Sequence, residues 1–275
     1  MTSDRKILTV LALAALVALA ACQKKPKEGA APANTPPATV APLAFAKQDA
    51  DAEVQLTLPE PIKLYPALHA RLYNEGQATL TAFIDQAHRD RAQNSADGIE
   101  VPPYSHSITW QISAQSPRLV SLYAVEDDYQ GGAHPNNTYQ ALLWDKSAND
   151  LVSTGKLFTP GADFRNIDTY VCKQIEAARS KRAGTPISQT GSGFSCPKFA
   201  ESLLVLIPSL SEGKIGAIDA LYGPYDVGSY AEGPYEIRVP QAMLTSILAP
   251  EYAGQFGGEP VKDPVLQDYD EAPAQ

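Results

Sequence analysis

The chain is short of charge, and of positive charge in particular. Charged residues make up 19% of its 275 residues, and 22 Lys and Arg stand against 31 Asp and Glu, so the formal net charge is -9 at pH 7. Because nucleic-acid binding depends largely on basic side chains that neutralise phosphates, we expect no nucleic-acid partner. With 44% apolar residues, the chain is also too hydrophobic for a wholly disordered protein.

Common catalytic motifs are missing as well. The sequence contains no H-E-x-x-H, no G-x-S-x-G and no Walker A phosphate loop. His69 and His88 fall on one predicted helix but are too far apart to bind one metal ion. We therefore predict no catalytic residue, no metal site and no cofactor. The acidic run Glu126-Asp127-Asp128 is expected to be a solvated strand end, and a weak Ca²⁺ contact is the alternative.

Only one long hydrophobic run is present, Ile7–Ala21, and it follows the basic residues Arg5 and Lys6. At about 1.5 Å per helical residue it spans about 22 Å, which is short of a bilayer core of about 30 Å. A basic start, a short apolar stretch and small residues at its end are typical of a secretory signal peptide. The sequence therefore predicts a signal peptide over residues 1–21.

The run ends in Leu19-Ala20-Ala21-Cys22, which resembles a bacterial lipobox. The resemblance implies that Cys22 carries diacylglycerol and becomes the first mature residue, so that acyl chains hold the protein on a membrane. Gln23 follows the cysteine, and by similarity to Gram-negative lipoproteins this favours the outer membrane, facing the periplasm. An uncleaved helical anchor is the alternative.

The segments at the two ends of the mature chain differ in composition from its middle. Residues 22–48 are rich in Pro, Ala and Lys without a helical or strand period, and they predict a flexible tether after the acylated cysteine. Residues 251–275 are polar, acidic and contain proline, and they predict a disordered acidic tail.

Between these ends, strands and helices alternate without a regular β-α-β rhythm. This order predicts an α+β fold of mainly antiparallel sheets packed with two or three helices. The predicted strands are Glu53–Leu58, Tyr104–Ser113, Leu119–Val125, Thr138–Asp145, Asp150–Thr154, Phe199–Pro208 and Glu236–Val239. The predicted helices are Pro66–Gln93, with a possible disturbance at Gly76, Phe164–Arg182 and Gln241–Leu248.

Three cysteines are present, and Cys22 is accounted for by the lipobox. Two cysteines remain, and in an oxidising compartment this even number predicts a disulfide between Cys172 and Cys196. The disulfide would close a loop of about 25 residues. A zinc site is the alternative, although two cysteines without a nearby histidine are poorly suited to it.

Two segments rich in glycine and tyrosine are unusual. The first runs Tyr129-Gln130-Gly131-Gly132-Ala133-His134-Pro135-Asn136, and the second is Gly223–Ile237, GPYDVGSYAEGPYEI. Together they resemble the extracytoplasmic domain shared by the anti-sigma factor RsiV and the N-terminal part of the peptidoglycan deacetylase PdaC. The resemblance divides the body into a PdaC-like module, residues 49–160, and an RsiV-like module, residues 161–250. Ser229 departs from it, since the family more often has proline there.

The resemblance implies a domain of unknown function that binds rather than catalyses. In the anti-sigma members it recognises lysozyme, a cationic muramidase, which would complement an acidic chain. In the deacetylase it accompanies a separate catalytic domain that this chain lacks. We therefore expect an envelope lipoprotein that binds a lysozyme-like muramidase or peptidoglycan. The alternative is a periplasmic hydrolase of cell-wall glycan, with His134 and Asp127 or Asp128 as acid and base.

The two motifs also supply the candidate contact residues. The first predicts a polar ligand edge, formed by Asp127, Asp128, Tyr129, His134 and Asn136. Its structural alternative is a hairpin in which His134 donates a hydrogen bond to a backbone carbonyl. The second motif predicts an aromatic contact surface of Tyr225, Tyr230 and Tyr235, and packing of these rings around the core is the alternative.

Overall fold

The computed structural model describes residues 40–266, which belong to one compact unit. The predicted signal peptide, Cys22, residues 22–39 of the predicted tether and residues 267–275 of the predicted tail lie outside the described residues. No helix within residues 40–266 has the length and apolar character that crossing a membrane requires.

The described residues form nine strands and four α-helices. The strands are β1 Ala44–Gln48, β2 Ala52–Thr57, β3 Tyr104–Gln115, β4 Leu119–Tyr129, β5 Asn136–Asp145, β6 Asp150–Leu151, β7 Leu203–Pro208, β8 Ile215–Tyr222 and β9 Tyr235–Pro240. The helices are α1 Pro66–Ala96, α2 Arg165–Ala183, α3 Gln241–Leu244 and α4 Pro250–Ala253.

The first sheet contains β1 to β6 in chain order, and α1 packs on one of its faces. All neighbouring strands are antiparallel except β2 and β3, which are parallel and are joined through α1. The helix continues without a break through Gly76, where a Cβ atom would lie only 2.8 Å from the methyl groups of Leu56. Glycine therefore allows α1 to approach the sheet closely at this point.

The second sheet contains β7, β8 and β9, all antiparallel, and α2 packs against it. Strand β7 contacts β3, β4 and β5 of the first sheet, and the backbone N–H of Leu206 donates to Ser121 Oγ at 3.0 Å. A disulfide joins Cys172 in α2 to Cys196, ahead of β7. The mixed and mainly antiparallel architecture confirms the predicted α+β fold class.

Residues 49–160 contain five of the six strands of the first sheet and residues 161–250 contain the second sheet, and the two sheets share an apolar core. One apolar core contains Leu119 and Leu143 from the first sheet together with Val171 from α2 and Ile218 from β8. Residues 49–160 and 161–250 both contribute to this core, whereas a second core between α1 and the first sheet is built from residues 43–151.

The predicted tether is too long at its C-terminal end. Its last five residues form β1, which pairs antiparallel with β2 from Ala44↔Thr57 to Gln48↔Glu53. Phe45 and Leu43 pack against the core beneath α1. The alternation of small and apolar side chains over these residues is therefore a strand pattern within a proline-rich segment.

The prediction of a disordered tail is wrong for residues 251–266. Residues 256–266, here called the strap, follow α4 and lie along the second sheet. Phe256 is 8% exposed and bridges to Ile215. Arg238 donates to the carbonyl oxygens of Val261 at 2.6 Å and Asp263 at 2.9 Å, so side chains of β9 hold a segment that has no periodic pattern of its own.

Candidate functional site

The first motif forms the turn between β4 and β5. The two strands pair in continuous register from Leu119↔Asp145 to Asp128↔Asn136. Gly131 has a φ of 86°, a left-handed conformation that glycine adopts without steric strain. The turn places His134 on the surface at the end of the hairpin.

His134 is held by its own turn and by the second motif. Its Nδ1–H donates to the carbonyl oxygen of Pro135 at 2.9 Å, as the structural alternative predicts. Its ring stacks on Tyr230, with centroids 3.8 Å apart and an interplanar angle of 25°. With Nδ1 used in this bond, Nε2 is the nitrogen that remains for a partner.

The second motif begins with a tight turn over residues 223–226. The N–H of Asp226 donates to the carbonyl of Gly223 at 3.2 Å, and Asp226 Oδ2 accepts from the N–H of Gly223 at 2.7 Å. Pro224 and Tyr225 occupy the two central positions, and Tyr225 has a φ of 73°. These features are typical of a type II turn. They leave the Tyr225 side chain 60% exposed.

Tyr230 connects the two motifs. Its hydroxyl donates to the carbonyl oxygen of Pro135 at 2.7 Å, and its ring centroid lies 5.5 Å from that of Tyr225. The structure thus brings together residues that are about 90 positions apart in sequence. We call this surface the aromatic–acidic patch, and it contains Asp127, His134, Tyr225, Asp226 and Tyr230.

The predicted polar edge is divided between two faces of the first sheet. Because side chains alternate along a strand, Asp127 and Tyr129 point to one face and Asp128 to the other. Asp127 pairs with Asn137, whose amide donates to its carboxylate, whereas Asp128 pairs with Asn136 on the opposite face. Among residues 40–266, His134 contacts Pro135 and Tyr230, whereas Asp128 accepts from the side-chain amide of Gln130 at 3.0 Å.

Tyr235 is buried and does not belong to the patch, which corrects its predicted role. It is only 2% exposed, and its hydroxyl donates to Glu232 Oε2 at 2.8 Å. Burial raises the pKa of this phenol to about 12. The predicted packing alternative therefore holds for Tyr235, whereas Tyr225 is exposed and Tyr230 is partly so.

An ion pair that was absent from the predicted site positions Tyr230. Arg179, 4% exposed, donates through Nε and Nη2 to the two carboxylate oxygens of Glu232 at 2.8 and 2.9 Å. The Arg179 guanidinium is the main cause that lowers the pKa of Glu232 to about 2. Glu232 also accepts from the backbone N–H of Ser229 at 2.9 Å, which fixes the turn that carries Tyr230.

Part of this arrangement is visible in the sequence. Ser229 and Glu232 have the S-x-x-E spacing of a capping box. Arg179 lies four residues after Ile175, on the inner side of α2, where an arginine requires a buried partner. The pairing itself could not be predicted, because the partners are 53 residues apart.

The acidic members of the patch lack cationic neighbours. Within residues 40–266, neither Asp127 nor Asp226 forms an ion pair with a lysine or arginine. In the same part of the chain, no group of His, Cys, Asp or Glu side chains is arranged to hold a metal ion. The patch therefore presents aromatic rings and uncompensated negative charge.

The comparisons with known proteins agree with the first motif and with the fold. Residues 46–137 match the family model of Deacetylase PdaC. The PdaC match begins in β1, includes the whole first motif and stops before the second one. It confirms the resemblance that the glycine-rich turn carries.

Two solved structures match a larger share of the chain than the family model does. A crystal structure of a DUF3298 family member from Bacteroides fragilis has a TM-score of 0.52 and 16% identity, and the match covers 74% of this chain and 88% of that one. A DUF3298 protein from Pseudomonas aeruginosa has a TM-score of 0.49 and 18% identity, over 80% of this chain and 99% of that one. The Bacteroides structure supports the fold alone. No curated protein matches the chain.

Proposed function

We propose that this chain is a non-catalytic binding module whose aromatic–acidic patch recognises a cationic protein of the lysozyme-like muramidase class. The observation that carries the proposal is the exposed Tyr225 in a patch that also contains Asp127 and Asp226, neither of which forms an ion pair with a lysine or arginine among residues 40–266. Aromatic residues at the centre of an interface contribute much of its binding free energy. Carboxylates around them accelerate and orient the approach of a positively charged partner.

The proposed location is the cell envelope. In this proposal Cys22 is acylated, residues 23–43 connect it to β1, and the domain faces the periplasm from the outer membrane. The disulfide Cys172–Cys196 is compatible with an oxidising compartment. The family resemblance supplies the expectation of a muramidase partner.

Peptidoglycan is the second candidate, and a cavity favours it. A space of about 370 Å³ lies between the strap and the first sheet, on the face that carries Asp127. Gln111, Ser113, Tyr123 and Tyr139 contribute amide, hydroxyl and aromatic groups to its wall, where the Tyr123 hydroxyl donates to Gln111 Oε1 at 2.9 Å. Such a lining suits a sugar, which presents both hydroxyl groups and apolar C–H faces.

The hydrolase alternative has less support from the geometry. An acid–base pair must lie within hydrogen-bond reach of the groups between which it moves a proton. His134 instead stacks on Tyr230 and donates to Pro135, while the Asp127 carboxylate accepts from the amide of Asn137.

Calorimetric titration of the folded domain with purified lysozyme, at low and at physiological salt, tests the proposal. We expect binding that weakens with salt, and a loss of about tenfold or more in affinity for Tyr225→Ala and for Asp127→Asn. Leu210→Ala and Asp150→Asn remove an exposed apolar side chain and an exposed carboxylate elsewhere, and they should bind like the unmodified chain.

Two outcomes would contradict the proposal. The first is no binding at low salt, and the second is equal loss in the patch variants and the control variants. Turnover of muropeptides that disappears in His134→Ala would instead support the hydrolase. Binding of soluble glycan fragments that Tyr123→Ala weakens would support peptidoglycan as the ligand.

A further inference from the structure

The Cys172–Cys196 disulfide closes a segment that buries almost no apolar surface. Residues 184–198, here called the disulfide loop, follow α2 and contain no helix or strand. Gln189 is the only buried residue among them, and it is a polar residue that is 1% exposed. Ordering a segment costs conformational entropy, which buried apolar side chains usually offset. The disulfide loop therefore depends on other contacts for its order.

Polar contacts and the disulfide hold the loop on α2. Glu176 Oε1 accepts from the Ser188 hydroxyl at 2.9 Å and from the backbone N–H of Gln189 at 2.8 Å. Ser180 Oγ accepts from the backbone N–H of Ile187 at 2.8 Å. Water competes for polar groups at these exposed and half-buried positions, so each bond contributes little alone. The cross-link limits how far the loop can open, and it thereby raises the effective concentration of every polar pair.

Gln189 connects the disulfide loop to the second motif. Its Nε2–H donates to the backbone carbonyl of Val227 at 3.1 Å, and Val227 lies between Tyr225 and Tyr230 in that motif. Its Oε1 accepts from Nη1 of Arg179. Because donor and acceptor of this buried amide both have partners, the position of Gln189 is defined on two sides. The loop thus supports the backbone of the second motif from within the protein.

The loop also completes the surroundings of Arg179, whose ion pair with Glu232 fixes the turn that carries Tyr230. Nη1 of Arg179 donates to Ser192 Oγ at 3.2 Å, and the guanidinium carbon lies 5.2 Å from the centroid of the Phe194 ring. If the loop opened, water would replace these two neighbours. Water screens an ion pair that it reaches, so the bond between Arg179 and Glu232 would weaken.

The disulfide is accessible to a dithiol reductant, such as a protein of the thioredoxin-like class. Cys196 is exposed and Cys172 is half-buried, so the reductant reaches Cys196 first. One thiolate of the reductant attacks Cys196 Sγ and forms a mixed disulfide, and Cys172 leaves as a thiolate that takes up a proton. The second thiol of the reductant then releases Cys196 as a thiol and leaves the reductant as a disulfide. The chain gains two electrons and two protons, and the cross-link is open.

We propose that the Cys172–Cys196 disulfide is a redox switch for the aromatic–acidic patch. In the oxidised chain the disulfide loop holds Gln189 against the second motif, and Tyr225 and Tyr230 are presented at fixed positions. In the reduced chain the loop leaves α2, and residues 223–233 lose this support. The switch concerns the order of the patch and is measured without a partner, so its test does not depend on the proposed function.

Amide hydrogen exchange of the full chain, with and without dithiothreitol, tests the switch. Every sample carries Cys22→Ser, which leaves Cys172 and Cys196 as the only cysteines. We expect reduction to accelerate exchange about tenfold or more at hydrogen-bonded amides of the loop, such as that of Gln189, and of the second motif, such as that of Glu232. Residues 104–129, in β3 and β4, should exchange as before.

The variant Cys172→Ser/Cys196→Ser is the control for the reductant. It has no cross-link to open, so both segments should exchange fast in it, and dithiothreitol should change nothing.

Gln189→Ala in the oxidised chain tests the contact through which the loop acts. It removes the bond to Val227 while the disulfide and the ion pair of Arg179 with Glu232 remain, and exchange in residues 223–233 should accelerate about threefold or more. Thr190→Ala changes the exposed neighbour in the same loop, and it should exchange like the unmodified chain.

Four outcomes would overturn the proposal. Exchange that accelerates in residues 184–198 but not in residues 223–233 would show that the loop opens without effect on the patch. Equal acceleration in residues 104–129 would show global unfolding. A disulfide that dithiothreitol opens only in urea would not be a switch of the folded protein. A Gln189→Ala variant that exchanges like Thr190→Ala would remove the contact that transmits the change.

Discussion

At the scale of single residues, Glu232 connects the candidate site to the core. Its carboxylate accepts from the buried Arg179, from the Tyr235 hydroxyl and from the backbone of Ser229. Its side chain is 20% exposed, so water compensates little for any bond that is lost. The position of Tyr230 on the surface therefore depends on the charge of the Glu232 carboxylate, which is mostly buried.

We predict that Glu232→Gln lowers the free energy of unfolding by about 3 kcal/mol at pH 7, because it leaves the Arg179 charge buried and unpaired. The folded pKa of Glu232 is about 2, below its ordinary value of 4.5. Its ionisation therefore stabilises the fold fully above about pH 4.5, and this stabilisation is lost as the pH falls toward 2. The difference in free energy of unfolding between the variant and the unmodified chain should therefore be about 2 kcal/mol smaller at pH 3 than at pH 7. Urea unfolding at the two pH values measures this difference.

The control for this measurement is Glu212→Gln, an exposed carboxylate in the turn between β7 and β8. We expect its free energy of unfolding to follow that of the parent at both pH values. If Glu232→Gln lowers the free energy of unfolding by the same amount at pH 7 and at pH 3, the ion pair with Arg179 is not the cause of the loss.

At the scale of single elements, β8 and the strap depend on each other. Every residue of β8 is buried, and Gly216 in this strand lies directly beneath Pro260 of the strap. A Cβ atom at position 216 would lie 2.5 Å from the Cα of Pro260, a distance at which the strap backbone must move.

We predict that Gly216→Ala lowers the free energy of unfolding by about 1–3 kcal/mol and makes the strap sensitive to trypsin at Lys262. Gly254→Ala is the matched control, because nothing lies within 4 Å of its Cβ position and its φ of -66° suits alanine. Limited proteolysis measures the trypsin sensitivity of the strap, and urea unfolding measures the free energy of unfolding. Equal trypsin sensitivity in the two variants would contradict this account of the strap.

The elements also show what sequence patterns can predict. Strands β2 to β5 and helices α1 and α2 have clear periodicity, and each lies within a few residues of its predicted range. Strand β8 has no such period, because both faces are covered and Asp219 interrupts an apolar run while pairing with Arg238. The strap could not be predicted either, since it is ordered by backbone hydrogen bonds to β7 and β8 and by side chains on β9 rather than by a local pattern.

The candidate site was predictable in its residues but not in its arrangement. The two motifs identify His134, Tyr225 and Tyr230, and the structure brings these three together. The division of Asp127 from Asp128 follows from strand alternation once the register is known. The burial of Tyr235 depends on α2, which lies more than 50 residues earlier in the sequence, and no local pattern indicates it.

At the scale of the whole molecule, a shared core joins the two sheets, beside the core that the first sheet forms with α1. The core that contains Leu119 and Leu143 is completed by residues of α2 and β8. Contacts between β7 and three strands of the first sheet add to this common interior. Stability should therefore be a property of residues 40–266 together.

We predict a single calorimetric transition for the folded domain, with equal calorimetric and van't Hoff enthalpies. A fragment of residues 40–160 keeps the core beneath α1 but should unfold at a lower temperature than the whole domain, because the sheet face that carries Leu119 and Leu143 would be exposed to water. Differential scanning calorimetry of both proteins measures this. Two resolved transitions, or a fragment as stable as the whole domain, would contradict this prediction and show that the two modules fold independently.

The left-handed backbone at Tyr225 has a consequence for selection. A bulky residue in that conformation costs roughly 1–2 kcal/mol, whereas asparagine adopts it with less strain. Tyr225→Asn should therefore raise thermal stability slightly while it weakens partner binding. Opposite signs in these two measurements would mean that the fold tolerates a locally unfavourable residue for the sake of recognition.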